Sequence, residues 1–292
     1  MANAMYFTSR LKPSTQRLKL LPAWLAIGAL ALMAQLPGKL RLAFGAQVGR
    51  LFYLVNAKRR RIAHINLELC FPHWPLEKRR QVIREHFKIY GQAIVDLGMV
   101  SLSSEERLNA VINIEGFENY RRVRNAGHAV IFLTPHLVGV DIAGTLLSRH
   151  LPVCTMMRDH KNPVLNNRLK ANRKRFGLKL YTRSQGLLPL VQNLKKKVSC
   201  YYIADEDFGV NSSIFVPFFG VPVATLNTLG RMARLTDAKV LPVRSYLDSK
   251  TGRYDITIEA PLENFPTDDS YTNARRMNAI FENMIAAAPE QY

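Results

Sequence analysis

The sequence predicts an α/β fold, a mixed and mostly parallel sheet flanked by helices, with an N-terminal membrane-anchoring helix in front of it. From Val111 onward short apolar runs alternate with helical patterns, as in a layered domain of strands and helices. From Leu20 to Gly38 no residue carries a charge, and residues 39–110 between these two regions read as helical. The predicted organisation is a short basic segment at 1–19, an anchor at 20–38 and one domain at 39–292, whose helical part gives way to an α/β core at 111.

The anchor is argued from length. As a helix the run would extend about 28 Å at roughly 1.5 Å per residue, close to the roughly 30 Å of a bilayer's hydrocarbon core. No small-residue cleavage site follows it, and Gln35-Leu36-Pro37-Gly38 reads as a helix end, which weighs against a cleaved signal peptide or a core helix. Arg17 and Lys19 on one side are matched by Lys39 and Arg41 on the other, so the positive-inside rule gives no orientation. Next, Lys58 to Arg61 open a helix, Pro72 and Pro75 punctuate the chain, and an amphipathic helix covers 76–98. Val82, Phe87, Ile89, Ala93, Ile94 and Leu97 form its apolar side. Its basic side, with Lys78, Arg79, Arg80, Arg84 and Lys88, suits either solvent or an anionic lipid surface.

In the remainder, strands are predicted at 111–114, 129–134, 153–157, 178–181, 198–204, 214–218, 239–246 and 254–259. Helices fall at 117–125, 140–148, 162–176, 187–197, 226–235 and 271–287. In open sheets of this kind, sites gather at the carboxyl ends of the strands.

With 292 residues, 48% of them hydrophobic, the chain can bury one large core. Lys and Arg outnumber Asp and Glu by 41 to 22, a net charge of +19 that attracts anionic partners such as phospholipid head groups, phosphorylated glycolipids, an acidic carrier protein or nucleic acid. The basic residues are spread along the chain without a nucleic-acid-binding motif, which disfavours the last. Cys70, Cys154 and Cys200 lie far apart, so neither structural zinc nor a disulfide framework is indicated, and a reducing cytoplasmic setting fits.

The segment with the clearest chemistry is Thr134-Pro135-His136-Leu137-Val138-Gly139-Val140-Asp141, directly after the strand at 129–134. Within one helix, residues five apart would sit roughly 140° apart around the axis and could not meet. Pro135 instead puts His136 in the turn and Asp141 in the first helical turn. The carboxylate can then reach one imidazole nitrogen, fix the tautomer and stabilise the imidazolium, while the other nitrogen takes a proton from an alcohol. Asp141 equally suits a plain helix-start acid. No GxSxG elbow, no HExxH and no cysteine directly beside a histidine is present, so serine, metal and thiol mechanisms lack support.

Further landmarks lie along the chain in order: Gln35-Leu36-Pro37, Asn66-Leu67-Glu68-Leu69-Cys70-Phe71-Pro72, the His136 to Asp141 block, Arg158 followed by Asn162-Pro163, and Arg173 with Arg175. Then come Asp205-Glu206-Asp207-Phe208-Gly209, Phe215-Val216-Pro217-Phe218-Phe219-Gly220 and the closing Ala288-Pro289-Glu290-Gln291-Tyr292. In this order they resemble the late acyltransferases of lipid A biosynthesis, the Kdo-lipid A lauroyl/myristoyl acyltransferase family of the lysophospholipid acyltransferase superfamily. The resemblance implies a glycerolipid acyltransferase-like fold. It implies transfer of a fatty acyl chain from an acyl carrier protein thioester to a hydroxyl of a lipid A precursor, with no cofactor, no metal and no acyl-enzyme. The implied partners are acyl carrier protein, an anionic glycolipid acceptor and the inner membrane, with the catalytic domain on its cytoplasmic face and no nucleic acid; a different glycerolipid or glycolipid acceptor stays open.

By that resemblance His136 is the base and Asp141 its partner, although the lipid A branch usually carries Glu there and the wider superfamily Asp. The resemblance also makes Arg158, Arg173, Arg175 and Asp205 the expected substrate-binding residues; guanidinium pairs bidentately with phosphate and carboxylate oxygens. Asp205, at the end of its strand, suits orienting an arginine or capping a turn. The stretch Phe215 to Phe219 reads as core in preference to an acyl-chain wall.

Overall fold

The computed structural model describes residues 14–206, 209 and 213–292. The described residues open with helices α1 (Ser14–Ala34), α2 (Gly38–Val55), α3 (Ala57–Cys70), α4 (Leu76–Leu102) and α5 (Glu105–Ala110). Their boundaries follow local chemistry. Pro37 and Pro75 stand at the N-caps of α2 and α4, the side chain of Asn56 accepts the Arg59 amide at the start of α3 at 3.2 Å, and Ser104 caps α5 in the same way.

The second part contains β1 (Ile112–Glu115), α6 (Phe117–Asn125), β2 (Ala129–Thr134), α7 (Val140–Leu147), β3 (Val153–Met157), α8 (Pro163–Lys174), β4 (Lys179–Thr182), α9 (Leu188–Lys195) and β5 (Ser199–Ile203). It continues with β6 (Ser213–Phe218), β7 (Val221–Leu226), α10 (Thr228–Thr236), β8 (Ala238–Leu247), β9 (Tyr254–Ile258) and α11 (Ser270–Ala287). Among the described residues the main sheet runs β1-β9-β8-β2-β5-β3-β4, parallel throughout except between β8 and β9. The predicted mixed, mostly parallel sheet is therefore observed. Alternate residues of β2 serve two cores: Ala129, Ile131 and Leu133 pack with α9, α10 and α11, while Val130 and Phe132 pack with α6 and α7.

One strand, β7, was not expected. It forms an antiparallel hairpin with β6 through Phe219 and Gly220, both at positive φ (49° and 81°), the backbone of a tight two-residue turn. Phe-Gly is a weak turn signal, and Pro222 argues against a strand in sequence. The turn is held from outside, because the Phe219 amide donates to Glu282 at 2.9 Å.

The spanning anchor expected at 20–38 requires correction: among the described residues no helix is long and apolar enough to cross a membrane. The apolar run is divided between two helices, since α1 ends at Ala34 and Gly38 opens α2 instead of closing α1. The stretch from Leu20 to Ala34 would cover only about 22 Å, short of roughly 30 Å. The end of α1 belongs to the fold, with Ala34 buried and Arg107 donating to the Ala34 and Leu36 carbonyls, each at 2.8 Å. Of the expected basic segment at 1–19, residues 1–13 lie outside the described residues, as do Asp207 and Phe208.

The amphipathic helix expected at 76–98 is the centre of the helical part rather than one face of it: α4 buries Phe87, Ile89, Ala93, Val95 and Met99. α2 crosses it through glycines. A Cβ on Gly49 would lie 2.1 Å from the Phe87 carbonyl oxygen, and one on Gly91 would lie 2.3 Å from the Gly49 amide nitrogen. Beside this crossing the Arg41 Nε stands 2.7 Å from Asp96 Oδ1, out of line for a hydrogen bond, so the attraction is electrostatic. The Tyr254 hydroxyl of β9 donates to Asp96 at 2.9 Å, which ties the helices to the sheet; burial pushes the Asp96 carboxyl up to about 6 against the pull of Arg41.

Gly49→Ala should therefore cost about 1–3 kcal/mol of stability, because backbone must move to admit the methyl. Gly28→Ala on α1, where nothing lies within 4 Å of the added carbon, should be neutral or stabilising. Denaturant unfolding of the two variants reads the difference, and equal midpoints would contradict a glycine-dependent crossing.

Candidate active site

β2 and β5 are adjacent and parallel, with Thr134 opposite Ile203. Two residues past each of these ends stand His136 and Asp205, so the register alone brings them together. Asp205 Oδ2 accepts the His136 backbone amide at 2.7 Å and Oδ1 lies 2.5 Å from Nδ1, so one carboxylate grips both main chain and ring. Asp205 is 6% exposed and His136 44%, which leaves the Nε2 edge of the ring open. On that edge Glu206 Oε1 stands at 3.6 Å and is itself paired with Arg183.

The turn carrying His136 is tied from behind. The Val138 amide donates to the Gln291 carbonyl at 2.7 Å, and the Gln291 side chain bonds both the amide and the carbonyl of Leu247 at the end of β8, at 3.1 and 2.9 Å. Gly139 lets this turn lie against β8, since a Cβ there would be 2.8 Å from the Ser245 carbonyl oxygen. The Tyr292 phenol lies close to Asp205, and enclosure of the hydroxyl together with that carboxylate pushes it well above its usual range.

The contact expected between Asp141 and the imidazole is made by Asp205 instead. Asp141 lies in the first turn of α7, as predicted, but its carboxylate is held by the Arg173 guanidinium from α8, whose other nitrogen lies 3.4 Å from Met157 Sδ. A spacing of five residues allows either partner, and the arginine arrives from 32 positions away. Arg175, expected to bind substrate, points elsewhere: it donates to the carbonyls of Val100 and, at 2.6 Å, Ser103, satisfying the end of α4, and it lies over the Phe176 ring.

His136, Asp141, Arg158, Arg173, Arg183 and Glu206 ring a cavity of about 390 Å³, within the roughly 300–1,000 Å³ usual for ligand sites. Its interior is apolar, with Leu178, Leu190, Leu226, Tyr201 and Tyr202 among the walls. Gly144 on α7 is required here, since a Cβ would sit 2.9 Å from the Tyr201 ring. The arrangement can place an alkyl chain in the interior and anionic groups among the arginines, with an imidazole at the boundary. Sequence reasoning gave no role to Glu206, Arg183 or Tyr292; Glu206 and Tyr292 stood inside landmark strings, but nothing local marked Arg183.

Fold and site together define an α/β protein with an imidazole–carboxylate pair at an apolar, arginine-lined cavity. The sequence model of the family described as bacterial lipid A biosynthesis acyltransferase matches residues 9–292. Similar proteins include a lipid A biosynthesis acyltransferase of Haemophilus influenzae, 34% identical over 92% of this chain and 84% of that protein. The lipid A biosynthesis myristoyltransferase of Escherichia coli is also 34% identical over the same shares, and the lauroyltransferase of that organism is 29% identical over 92% of this chain and 88% of its own. The chain belongs to the bacterial lipid A biosynthesis acyltransferase family and is an acyltransferase.

The cysteines stand apart from this site. Cys154 and Cys200 are buried in β3 and β5, and burial together with Glu282 pushes the Cys70 thiol up to about 11. At pH 8 only about one Cys70 in a thousand would be thiolate. Ellman's reagent should therefore label the native protein very slowly and all 3 cysteines once it is unfolded; rapid native labelling would contradict this environment.

Proposed function

We propose that the protein transfers a fatty acyl chain from an acyl carrier protein thioester to a hydroxyl of a lipid A precursor, with His136 as general base and Asp205 as the carboxylate that orients it. The observation that carries this reading is the double grip of buried Asp205 on His136, which leaves Nε2 toward the apolar cavity. With Nδ1–H directed at Asp205, Nε2 is the free acceptor. It takes the proton of the acceptor hydroxyl as that oxygen attacks the thioester carbonyl. The tetrahedral intermediate collapses with loss of the carrier thiolate, which takes the proton back from the imidazolium. Asp205 stabilises the imidazolium between these steps. No acyl-enzyme and no cofactor enters this route.

Arg158 and Arg173 offer positive charge to phosphate or carboxylate groups of the acceptor, and Asp141 acts by holding Arg173 in place. The net charge of +19 suits both an acidic carrier and a phosphorylated lipid. Exposed Leu25, Leu32, Leu40, Leu54 and Val55 on α1 and α2, next to Lys58, Arg59 and Arg61, suit attachment to an anionic membrane surface without a span. In this reading the protein works on the cytoplasmic face of the inner membrane, where the carrier is found.

His136→Ala and Asp205→Asn should each lower kcat by about two to four orders of magnitude with acyl carrier protein thioester as donor, while the fold is kept. Near-parental turnover in either would remove the assignment.

Asp141 and Arg173 should behave as one unit in a double-mutant cycle. Asp141→Asn and Arg173→Gln should lose similar activity, and the double variant little more than either. Additive losses, or coupling of Asp141 to His136 instead, would restore Asp141 as the imidazole's partner.

A further inference from the structure

A second apolar cavity, of about 410 Å³, lies between α3, α4 and the β6–β7 hairpin, with Ala63, Leu67, Ile83, Phe218 and Val223 among its walls and Arg59 on its lining. Tyr292 on its lining lies beside Asp205, the residue that bonds His136 of the first cavity. The hairpin is the partition, for Phe218 and Val223 face the second cavity and Leu226 the first. Transfer between two lipids has to hold two alkyl chains at once, one ending in the thioester carbonyl and one bearing the hydroxyl, with the reacting atoms about 3–3.5 Å apart at the base. The first cavity holds the imidazole and the second is a separate apolar space of similar size, so the protein has room for both chains.

The surroundings distinguish the two. The first cavity runs into the sheet core, where Gly144 and Tyr201 close it. The second lies against the outer face of the helices, where Ile62, Ile65 and Leu69 of α3 are exposed beside Arg59, Arg60 and Arg61. A chain that still belongs to a membrane lipid enters most directly from this side, where exposed Arg59 and Arg61 suit its phosphate. We propose that the second cavity is the subsite for an acyl chain of the anionic lipid acceptor; this rests on the reading of His136 as the base for acyl transfer.

Trp74 reports on the site, because it stacks on Phe71, a lining residue, with ring centroids 4.0 Å apart. In full-length Trp24→Phe protein it is the one remaining tryptophan, and dibromostearic acid, a contact quencher, should quench its fluorescence saturably. Ala63→Phe and Val223→Phe fill the cavity from opposite walls; each should weaken quenching about tenfold and lower kcat/KM for the lipid acceptor about tenfold, with the KM for the donor thioester unchanged. Absence of quenching in the parent overturns the proposal whether or not the variants fold, as does parental quenching in either folded variant. Saturable, blockable quenching in a protein whose His136→Ala variant remains active would instead leave a lipid-chain site standing and remove the base assignment.

Discussion

Everything at the candidate site depends on the parallel pairing of β2 with β5, which ends both strands at one level and leaves His136 and Asp205 side by side. A carboxylate that bonds only a ring nitrogen can swing with the ring. Asp205 also accepts the His136 amide, so main chain and imidazole are fixed relative to the same group, and few rotamers satisfy both bonds. Enclosure of this acid is tolerable because the backbone amide and the ring of His136 each hydrogen-bond it.

The charges around the cavity are arranged as pairs. Asp141 with Arg173, and Glu206 with Arg183, each join a carboxylate to a guanidinium on the cavity lining. Arg158 adds a further guanidinium at the cavity. The local balance is therefore basic, in keeping with the whole chain, and suits an anionic lipid next to an apolar interior.

The helical part is fastened to the sheet. Glycine-mediated packing of α2 on α4, with the buried Arg41, Asp96 and Tyr254 group, ties these helices to β9. Their outward residues include exposed apolar and basic side chains, and α3 and α4 line the second cavity.

The sequence by itself determined the elements, because local periodicity decides them: β2 and β3 were predicted at their observed limits, as were the alternation after Val111 and the placing of His136 just past a strand. It also marked Asp205 and Arg173 through family resemblance. The division of the apolar run at Ala34 was not legible, since Pro37-Gly38 closes one helix and opens another with equal ease. Which acid meets the imidazole was decided only by tertiary structure. Asp141 is near His136 in sequence and Asp205 is 69 positions away, yet sheet register places the distant residue on the ring and α8 brings Arg173 to the near one. Local pattern sets which faces are apolar and where strands stop, whereas strand order and helix packing set which side chains meet, and those depend on long-range contacts that no window of sequence contains.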